Sequence, residues 1–352
     1  MTPQTPETPA PETPAPSGEI PAQTRQVVLA ARPHGAPTPE DFRLETVDLP
    51  ALQDGQVLVA NEVMSVDPYM RGRMNDVKSY VPPFQIDQPL DGGAVGRVIA
   101  SRSDAVQVGQ HVLHGLGWRE HAVLDAERVQ VVDVEAAPSS AYLGVLGMTG
   151  LTAYAGLTAV ADFREGDAVF VSGAAGAVGS AVVQIAKALG ASRVIGSAGS
   201  PEKVARLKEL GTDAAFDYHD GPVAEQLRAA APDGIDVYFD NVGGEHLEAA
   251  IGALNRNGRA ALCGAISQYN STGTPEGPKN MALLVVNTLS LKGFLVQQHQ
   301  DLAAEYRERA VQWLADGTLR YDETVREGLD DAAQAFIDLL AGANTGKMVV
   351  RL

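Results

Sequence analysis

The fold of this chain is decided by the stretch Ser172-Gly-Ala-Ala-Gly-Ala-Val-Gly179. It ends a short apolar run, 168–172, that predicts a buried strand, and it opens a run with apolar residues at helical spacing. Ala174, Gly176 and Gly179 stand in the G-x-G-x-x-G spacing, with alanine in the first slot. Glycines allow close backbone approach to a pyrophosphate, and the helix start adds free N–H groups. A plain tight turn is the alternative, but the strand–turn–helix context favours a dinucleotide site.

Strands and helices alternate after this stretch. One predicted helix contains Val178, another runs from Pro201 to Leu210, and a third begins near Glu245. Alternation at this spacing predicts βαβ units and a Rossmann-type, doubly wound parallel sheet, so the predicted fold class is α/β. The other predicted strands of this sheet are 193–198, 214–218, 235–240, 258–263 and 291–296.

The amino-terminal part has a different pattern. From about 26 to 134, short apolar runs are separated by turn residues, which predicts a β-rich, barrel-like domain. The last run, 348–352, predicts a strand that could return to this first domain. The uncharged stretch 136–161 contains glycines and a proline, so it predicts buried helical segments between two domains rather than a membrane span.

Composition excludes several classes of protein. The 352 residues carry a formal net charge of −17 and include one cysteine. An acidic chain without a basic stripe is not expected to bind nucleic acid or an anionic membrane. A single cysteine rules out a disulfide framework and fits a reducing compartment, so we expect a cytoplasmic protein. The proline-rich segment 1–22 has no apolar run, which predicts a disordered tail rather than a signal peptide; a docking ligand is the alternative.

The choice of dinucleotide depends on the end of the second predicted strand. NAD sites usually place Asp or Glu there to hold the ribose hydroxyls, whereas residues 196–200 contain no acid. The next helix has Ser200 as its N-cap and Lys203 in its first turn, where the macrodipole favours anions. A bound phosphate would offset this mismatch, so we predict NADP(H), with Lys203 and Ser200 on the phosphate. The alternative is a solvated surface lysine.

No residue pattern points to a metal or to a hydrolase. The densest group of histidines is His111, His114 and His121. Positions i and i+3 of a strand face opposite ways, so His111 and His114 would not share a metal there. Cys263 ends a predicted buried strand, where inert thiols are common, and no G-x-S-x-G elbow is present. We therefore predict no metal site.

Motifs along most of the chain carry a resemblance. They are Ser65-Val-Asp-Pro-Tyr-Met-Arg-Gly-Arg-Met74, Gly144-Val-Leu-Gly-Met-Thr-Gly-Leu-Thr-Ala-Tyr154, Gly173-Ala-Ala-Gly-Ala-Val-Gly179, Tyr238-Phe-Asp-Asn-Val-Gly-Gly244, Cys263-Gly-Ala-Ile-Ser-Gln-Tyr-Asn270 and Asn344-Thr-Gly-Lys-Met-Val-Val350. Together they resemble the medium-chain dehydrogenase/reductase superfamily. Within it, the chain is similar to the zinc-independent leukotriene/prostaglandin reductases, plant alkenal double-bond reductases and bacterial curcumin reductase.

The resemblance implies two domains and a cofactor between them. These are a GroES-like catalytic domain, 23–144 rejoined by 315–352, and a Rossmann NADP-binding domain, 145–314. Zinc-dependent relatives place a cysteine near Asp67 and Gly-His-Glu near 91–94, and this sequence has neither. The resemblance therefore also implies catalysis without zinc. The alternative to a cofactor contact is core packing for Tyr218 and a role in a turn for Asn241. With Gly179 and Ser200 from the arguments above, the expected cofactor contacts are Gly176, Ala177, Val178, Lys203, Tyr218, Asn241, Cys263, Gly264, Ala265, Ile266, Ser267, Tyr269, Phe294, Leu295, Val296 and Asn344.

Reduction of an activated C=C bond places demands on the site. Hydride goes to the β-carbon and charge builds on the carbonyl oxygen, where losing a hydrogen-bond donor costs about 3 kcal/mol. Without a metal, the donor must be a tyrosine hydroxyl or the ribose hydroxyl of the cofactor. Similar proteins place the positions of Tyr69 and Tyr80 at the cleft, so both are catalytic candidates, with Tyr69 favoured. The alternative is that they only wall an apolar pocket. Arg71 and Arg73 could meet an acidic substrate, although structural ion pairs are the favoured role.

The expected function is NADPH-dependent reduction of α,β-unsaturated ketones and aldehydes by hydride transfer without a metal. The substrate is then a small molecule, and similar proteins are often homodimers. One alternative is an NADPH quinone oxidoreductase of the same superfamily. The other is a non-catalytic NADPH-binding protein that kept the fold.

Overall fold

The computed structural model describes residues 20–274 and 276–352. The tail predicted for 1–22 lies outside these residues except for its last three positions. Strands β1 to β15 are Gln23–Leu29, Phe42–Asp48, Gln56–Ser65, Ala94–Ser101, His111–His114, His121–Asp125, Gln130–Val132, Ala168–Val171, Arg193–Ala198, Ala214–Asp217, Ile235–Asp240, Leu254–Leu262, Ser290–Gly293, Glu323–Glu327 and Lys347–Arg351. Helices α1 to α9 are Tyr69–Arg73, Met148–Ala155, Ala177–Ala188, Pro201–Glu209, Val223–Ala230, Gly244–Ala253, Ala282–Val286, Ala303–Ala315 and Ala332–Leu340.

A parallel sheet forms around the strand that precedes the glycine loop. Its order within the described residues is β10-β9-β8-β11-β12-β13. In β8, Val169, Phe170 and Val171 are fully buried, as expected for a parallel sheet covered by helices on both faces. The strand order reverses between β8 and β11, which opens a crevice at their carboxyl ends, the usual ligand site of such sheets. The predicted doubly wound α/β fold is confirmed.

A second large sheet combines β3 to β7 with the last two strands of the chain, whereas β1 and β2 pair with each other in a separate two-stranded sheet. The order of the large sheet is β14-β15-β3-β4-β5-β7, and β6 pairs with β3. The carboxyl-terminal β15 runs antiparallel to β3, with Val349 opposite Ser65, and parallel to β14. Val63, Val95 and Val349 belong to one buried cluster of this sheet. The last strand thus completes the sheet that the amino-terminal strands begin.

The uncharged stretch folds as α2 followed by a π-helical turn, Gly156–Val160. Its packing explains the small residues. A Cβ on Gly150 would stand 2.1 Å from the hydroxyl oxygen of Tyr306, and this hydroxyl donates to the carbonyl of Val145 at 2.6 Å. The glycine therefore lets α8 approach α2. Within residues 20–274 and 276–352, none of the helices has both the length and the apolar content needed to cross a bilayer.

Candidate active site

The glycine loop has the shape needed at the start of α3. Gly176 is the N-cap of this helix, and no side chain caps its first N–H groups. A Cβ on Gly179 would stand 2.3 Å from the carbonyl oxygen of Gly173, so the helix can approach the loop this closely because residue 179 is glycine. Gly173 itself has φ +58°, a conformation that favours glycine. Gly176, Ala177 and Val178 are half-buried at this helix end, and the free N–H groups with the positive end of the dipole suit a pyrophosphate.

The carboxyl-terminal segment meets this loop directly. Gly346 N–H donates to the carbonyl of Ala175 at 2.8 Å, and the side-chain amide of Asn344 donates to the carbonyl of Gly346 at 2.8 Å. Asn344 is therefore placed beside the loop by the segment that leads into β15 of the second sheet. Its contact with a cofactor stays a prediction.

The start of α4 carries the predicted phosphate ligands. The hydroxyl of Ser200 accepts the backbone N–H of Lys203 at 3.3 Å, so Ser200 is the N-cap that the sequence predicts. The ammonium of Lys203 donates to the carbonyl of Gly342 at 2.6 Å. Burial lowers the pKa of Lys203. One neutral acceptor leaves the ammonium with further N–H groups for an anion.

Tyr218 follows β10 immediately, and its backbone N–H donates to the carbonyl of Ala198 at 3.0 Å. This bond holds it beside the β9–α4 connection that leads to Ser200. Its side chain is half-exposed, and burial raises the pKa of its hydroxyl. Tyr218 thus lies next to the predicted phosphate ligands rather than inside the core.

A buried carboxylate organises the end of β11. Asp240 accepts the hydroxyls of Tyr238 at 2.7 Å and Ser172 at 3.1 Å, together with the N–H groups of Val242 and Gly243. These bonds shape the turn that presents the next residue, Asn241, to the crevice. The amide of Asn241 donates to the carbonyl of Ser172 at 2.8 Å, so part of its hydrogen-bonding capacity is structural.

The segment after β12 closes the same edge of the sheet. Cys263 and Gly264 donate their N–H groups to the carbonyl of Asp240. Burial, with a smaller contribution from Asp240, raises the pKa of the Cys263 thiol to about 12, so it stays a protonated thiol at neutral pH. The hydroxyl of Tyr269 accepts the N–H of Ala265 at 3.3 Å, and the Ser267 hydroxyl donates to the carbonyl of Val242 at 2.6 Å.

The final predicted contacts follow β13. The Phe294 ring meets the edge of the Phe239 ring at a centroid distance of 6.2 Å. A Cβ on Gly156 would stand 2.8 Å from the tip of the Phe294 ring, so α2 and this segment pack closely. Leu295 is half-buried and Val296 is buried. These residues form an apolar wall beside the 263–269 segment.

The two candidate tyrosines belong to α1 and the segment after it: Tyr69 is the first residue of α1, and Tyr80 follows this helix. Burial raises the pKa of Tyr69, and the carboxylates of Asp67 and Asp91 raise it further. Burial raises the pKa of Tyr80 as well, with a smaller contribution from Cys263. Tyr80 and Cys263 also raise the pKa of Tyr269, after burial. Tyr80 is therefore within electrostatic range of Cys263 and Tyr269, and Tyr69 is within range of Tyr80.

Arg73 holds the loop that carries Tyr80. Its guanidinium pairs with both oxygens of Asp91, donates to the carbonyl of Pro82 at 2.9 Å and lies 3.9 Å from the centre of the Phe84 ring. The Arg73 carbonyl also accepts the N–H of Phe84 at 2.7 Å. The predicted ion pair of Arg73 is confirmed.

Arg71 behaves differently from the prediction. It donates to the carbonyl of Gly35 at 2.8 Å and to the side chain of Asn75 at 2.9 Å, and no carboxylate of the described residues pairs with it. The expected ion pair is wrong for Arg71 because neutral oxygens of the 33–35 turn surround it. Its buried guanidinium ties this turn to α1.

The positions matched to zinc ligands carry other chemistry. Asp67 pairs with the buried ammonium of Lys347 at 3.2 Å and accepts the hydroxyl of Ser65, while Asp91 pairs with Arg73. Two carboxylates already matched to cations, with no cysteine or histidine beside them, do not fit zinc. Among the described residues, no group of three or more His, Cys, Asp or Glu side chains is arranged to hold a metal ion.

Three features of the site were missed at the level of sequence. The Lys203–Gly342 bond, the Lys347–Asp67 pair and the network around Asp240 all join residues that are distant in the chain. Asp240 had a signal, because it stands where a strand meets the quoted Tyr238–Gly244 motif. Lys347 had a weaker one, as a charged residue at the start of an apolar terminal strand.

Comparison with known proteins gives matches over most of the chain. A family model described as the N-terminal domain of oxidoreductase matches residues 25–132, and one described as zinc-binding dehydrogenase matches residues 177–316. The NADPH-dependent curcumin reductase of Escherichia coli strain K12 is 41% identical over 341 residues, or 95% of this chain and 99% of that protein. The NADP(+)-dependent 2-alkenal reductase of Nicotiana tabacum is 39% identical over 333 residues, or 93% of this chain and 96% of that protein. The crystal structure of CurA from Vibrio vulnificus in complex with NADPH is 44% identical, covers 93% of this chain and 98% of that chain, and has a TM-score of 0.88.

Proposed function

The chain belongs to the zinc-independent reductases of the medium-chain dehydrogenase/reductase superfamily, and on that premise we propose that it uses NADPH to reduce the C=C bond of α,β-unsaturated ketones and aldehydes. One observation carries the proposal: Tyr80 lies within electrostatic range of Cys263 and Tyr269, which follow β12 at the carboxyl edge of the parallel sheet, and Tyr69 lies within range of Tyr80. A nicotinamide at this edge would face hydroxyl groups and an apolar wall. That combination suits a neutral conjugated carbonyl compound.

The residues at the carboxyl edge fit a dinucleotide phosphate. Gly176, Ala177 and Val178 would present N–H groups to the pyrophosphate. At Gly179, the backbone of the glycine loop occupies the space that a side chain would take. Lys203, Ser200 and Tyr218 would hold the 2′-phosphate, since no acid of the β9 end opposes it. Asn241, Asn344, residues 263–269 and residues 294–296 would line the remaining length. The cofactor, when bound, supplies the hydride.

Tyr69 is the proposed donor to the carbonyl oxygen of the substrate. Its raised pKa keeps the phenol protonated at neutral pH, so it can donate a hydrogen bond to the oxygen as negative charge develops. Tyr80 has a largely exposed side chain, which suits a gate or a secondary donor at the cleft mouth. A proton then reaches the α-carbon from solvent or from a hydroxyl of the site, which completes the saturated carbonyl product.

Domain bounds, oligomeric state and location are proposed as well. We propose domain bounds of 23–144 with 315–352 and 145–314, because β15 pairs with β3. We propose a homodimer, because β13 is the last strand of its sheet in the described chain and the neighbouring Val285 and Val286 are 84% and 67% exposed. A cytoplasmic location is proposed from the single free cysteine.

The test of the proposed function is a panel of acceptors. The protein is mixed with NADPH and with enones, alkenals or quinones, and NADPH oxidation is followed by absorbance. Turnover of enones and alkenals well above that of quinones supports the proposal. A reversed preference would favour the quinone oxidoreductase alternative, and NADPH binding without oxidation by any acceptor would favour a non-catalytic protein.

A further inference from the structure

The seat of the Tyr218 hydroxyl is the backbone of Gly199. A Cβ built on Gly199 would stand 2.6 Å from the hydroxyl oxygen of Tyr218, 2.9 Å from its Cζ atom and 3.1 Å from its Cε1 atom. The first two separations are shorter than real Cβ contacts, and the third is tighter than most of them. The tyrosine tip therefore occupies the space that every other residue type at 199 would fill.

The backbone conformation does not explain this glycine. Gly199 is not among the glycines with positive φ, so an L-residue could adopt its conformation without strain. The glycine loop offers a contrast, because Gly173 has φ +58° and is required by conformation. At position 199 the requirement is for space alone, and the space is taken by Tyr218.

Two histidine rings pack against the Tyr218 ring. Its ring lies between His219, at a centroid distance of 4.3 Å, and His246, which meets it edge-on at 5.3 Å. His219 is itself fixed by Asp217, whose carboxylate oxygen lies 3.1 Å from the ring nitrogen Nδ1. His246 is buried in α6, and its Nε2 atom has no hydrogen-bond partner in the described part of the chain. These contacts support part of the ring, whose side chain is 36% exposed, and the hydroxyl lies against residue 199.

This seat places the hydroxyl beside the two other proposed phosphate ligands. Gly199 immediately precedes Ser200, the N-cap of the helix that carries Lys203. Gly342 is the one acceptor of the Lys203 ammonium among the described residues, and the Tyr218 hydroxyl donates no hydrogen bond within them. The side chains of Ser200, Lys203 and Tyr218 therefore lie around one turn, although they follow β9, belong to α4 and follow β10, respectively.

We propose that Gly199 is a specificity-determining position: by lacking a side chain it seats the Tyr218 hydroxyl on the 2′-phosphate of NADPH, and so sets the preference for NADPH over NADH. The proposal rests on the proposed NADPH-dependent function. Gly199 acts through Tyr218, so it is a positioning residue and the two should behave as one unit.

A double-mutant cycle tests the coupling. Gly199→Ala, Tyr218→Ala and the double variant are titrated with NADPH and with NADH, and binding is followed by nicotinamide fluorescence. Gly199→Ala is expected to raise the Kd for NADPH about tenfold, or about 1.4 kcal/mol, while the Kd for NADH changes less than twofold. The double variant should bind NADPH as Tyr218→Ala does, because the methyl group then has room.

A control variant and the results that would contradict the inference complete this test. Gly115→Ala is the matched control, since Gly115 also lacks a positive φ and has open space at its Cβ; it should leave both Kd values unchanged. Equal losses for NADPH and NADH in Gly199→Ala, or additive losses in the double variant, would overturn the inference. A wild-type protein with no preference for NADPH would instead contradict the proposed cofactor itself. Retained NADH binding by Gly199→Ala shows that the variant is folded.

Discussion

The two ends of the proposed cleft differ in what their cations contact. At the phosphate end, which comprises Gly199, Ser200, Lys203 and Tyr218, the ammonium of Lys203 meets a neutral carbonyl, and no carboxylate of the described residues pairs with it. At the tyrosine end, around Tyr69 and Tyr80, cations are matched to acids: Arg73 to Asp91 and Lys347 to Asp67. In a chain of net charge −17, a cation left without an acid and with N–H groups to spare, such as Lys203, marks a place for an external anion. Arg71, near the tyrosines, also lacks a carboxylate partner, but neutral oxygens of the 33–35 turn and of Asn75 take its donors, so it builds structure as the paired cations do.

The largest expected effect comes from breaking the buried pair at the tyrosine end. Lys347→Met leaves the Asp67 carboxylate buried without its cation, and the side chains of this pair are only 5% and 7% exposed. The free energy of unfolding should fall by about 3–5 kcal/mol, as measured by urea denaturation. The double variant Asp67→Asn, Lys347→Met should recover part of the loss. Unchanged stability of Lys347→Met would show that this end does not depend on charge pairing.

The next effect concerns catalysis at the same end. Tyr69→Phe removes the proposed donor to the developing oxyanion, so kcat with an enone should fall on the order of a hundredfold, or about 3 kcal/mol. Tyr80→Phe should have a smaller effect because its side chain is 57% exposed. Tyr142→Phe, which alters a hydroxyl bonded to the carbonyl of Asp133 away from the cleft, is the control. Full turnover by Tyr69→Phe would reduce Tyr69 to a pocket wall.

A selective effect is expected at the phosphate end. Lys203→Met removes a charge-assisted hydrogen bond, which should weaken NADPH binding by about 2 kcal/mol, roughly thirtyfold in Kd. NADH binding should hardly change, since NADH lacks the 2′-phosphate. Lys208→Met, on the exposed face of the same helix, is the matched control. Equal losses for the two dinucleotides would refute the phosphate role of Lys203.

The smallest effect is a pH dependence that only the phosphate end should show. Burial lowers the pKa of Lys203 from its ordinary value of about 10.4. The ammonium is the charged form, so raising the pH through this lowered pKa removes the charge that binds phosphate. The ratio of NADH to NADPH Kd values should therefore decline between neutral pH and the ordinary lysine pKa. A ratio that stays constant over this interval would contradict the role of the ammonium.

Sequence patterns were sufficient for the fold and for the local parts of the site. The glycine loop, the N-cap Ser200 and the alternating strands depend on neighbouring residues, and each has a pattern that periodicity or spacing can detect. The contacts that distinguish the phosphate end from the tyrosine end have no such pattern. Lys203 meets Gly342 and Lys347 meets Asp67 through folding of distant segments. Arg71 was assigned an ion pair because acids outnumber bases, yet the turn at Gly35 offers it carbonyl oxygens instead.

The most direct test of the proposed reaction traces the hydride from NADPH into the product. The protein is supplied with NADPH that carries deuterium on its transferable position and with a simple enone, and the product is analysed by mass spectrometry and NMR. The account predicts a saturated ketone with deuterium on the former β-carbon. Deuterium on the carbonyl carbon of an allylic alcohol, or no transfer from bound NADPH to the enone, would contradict it.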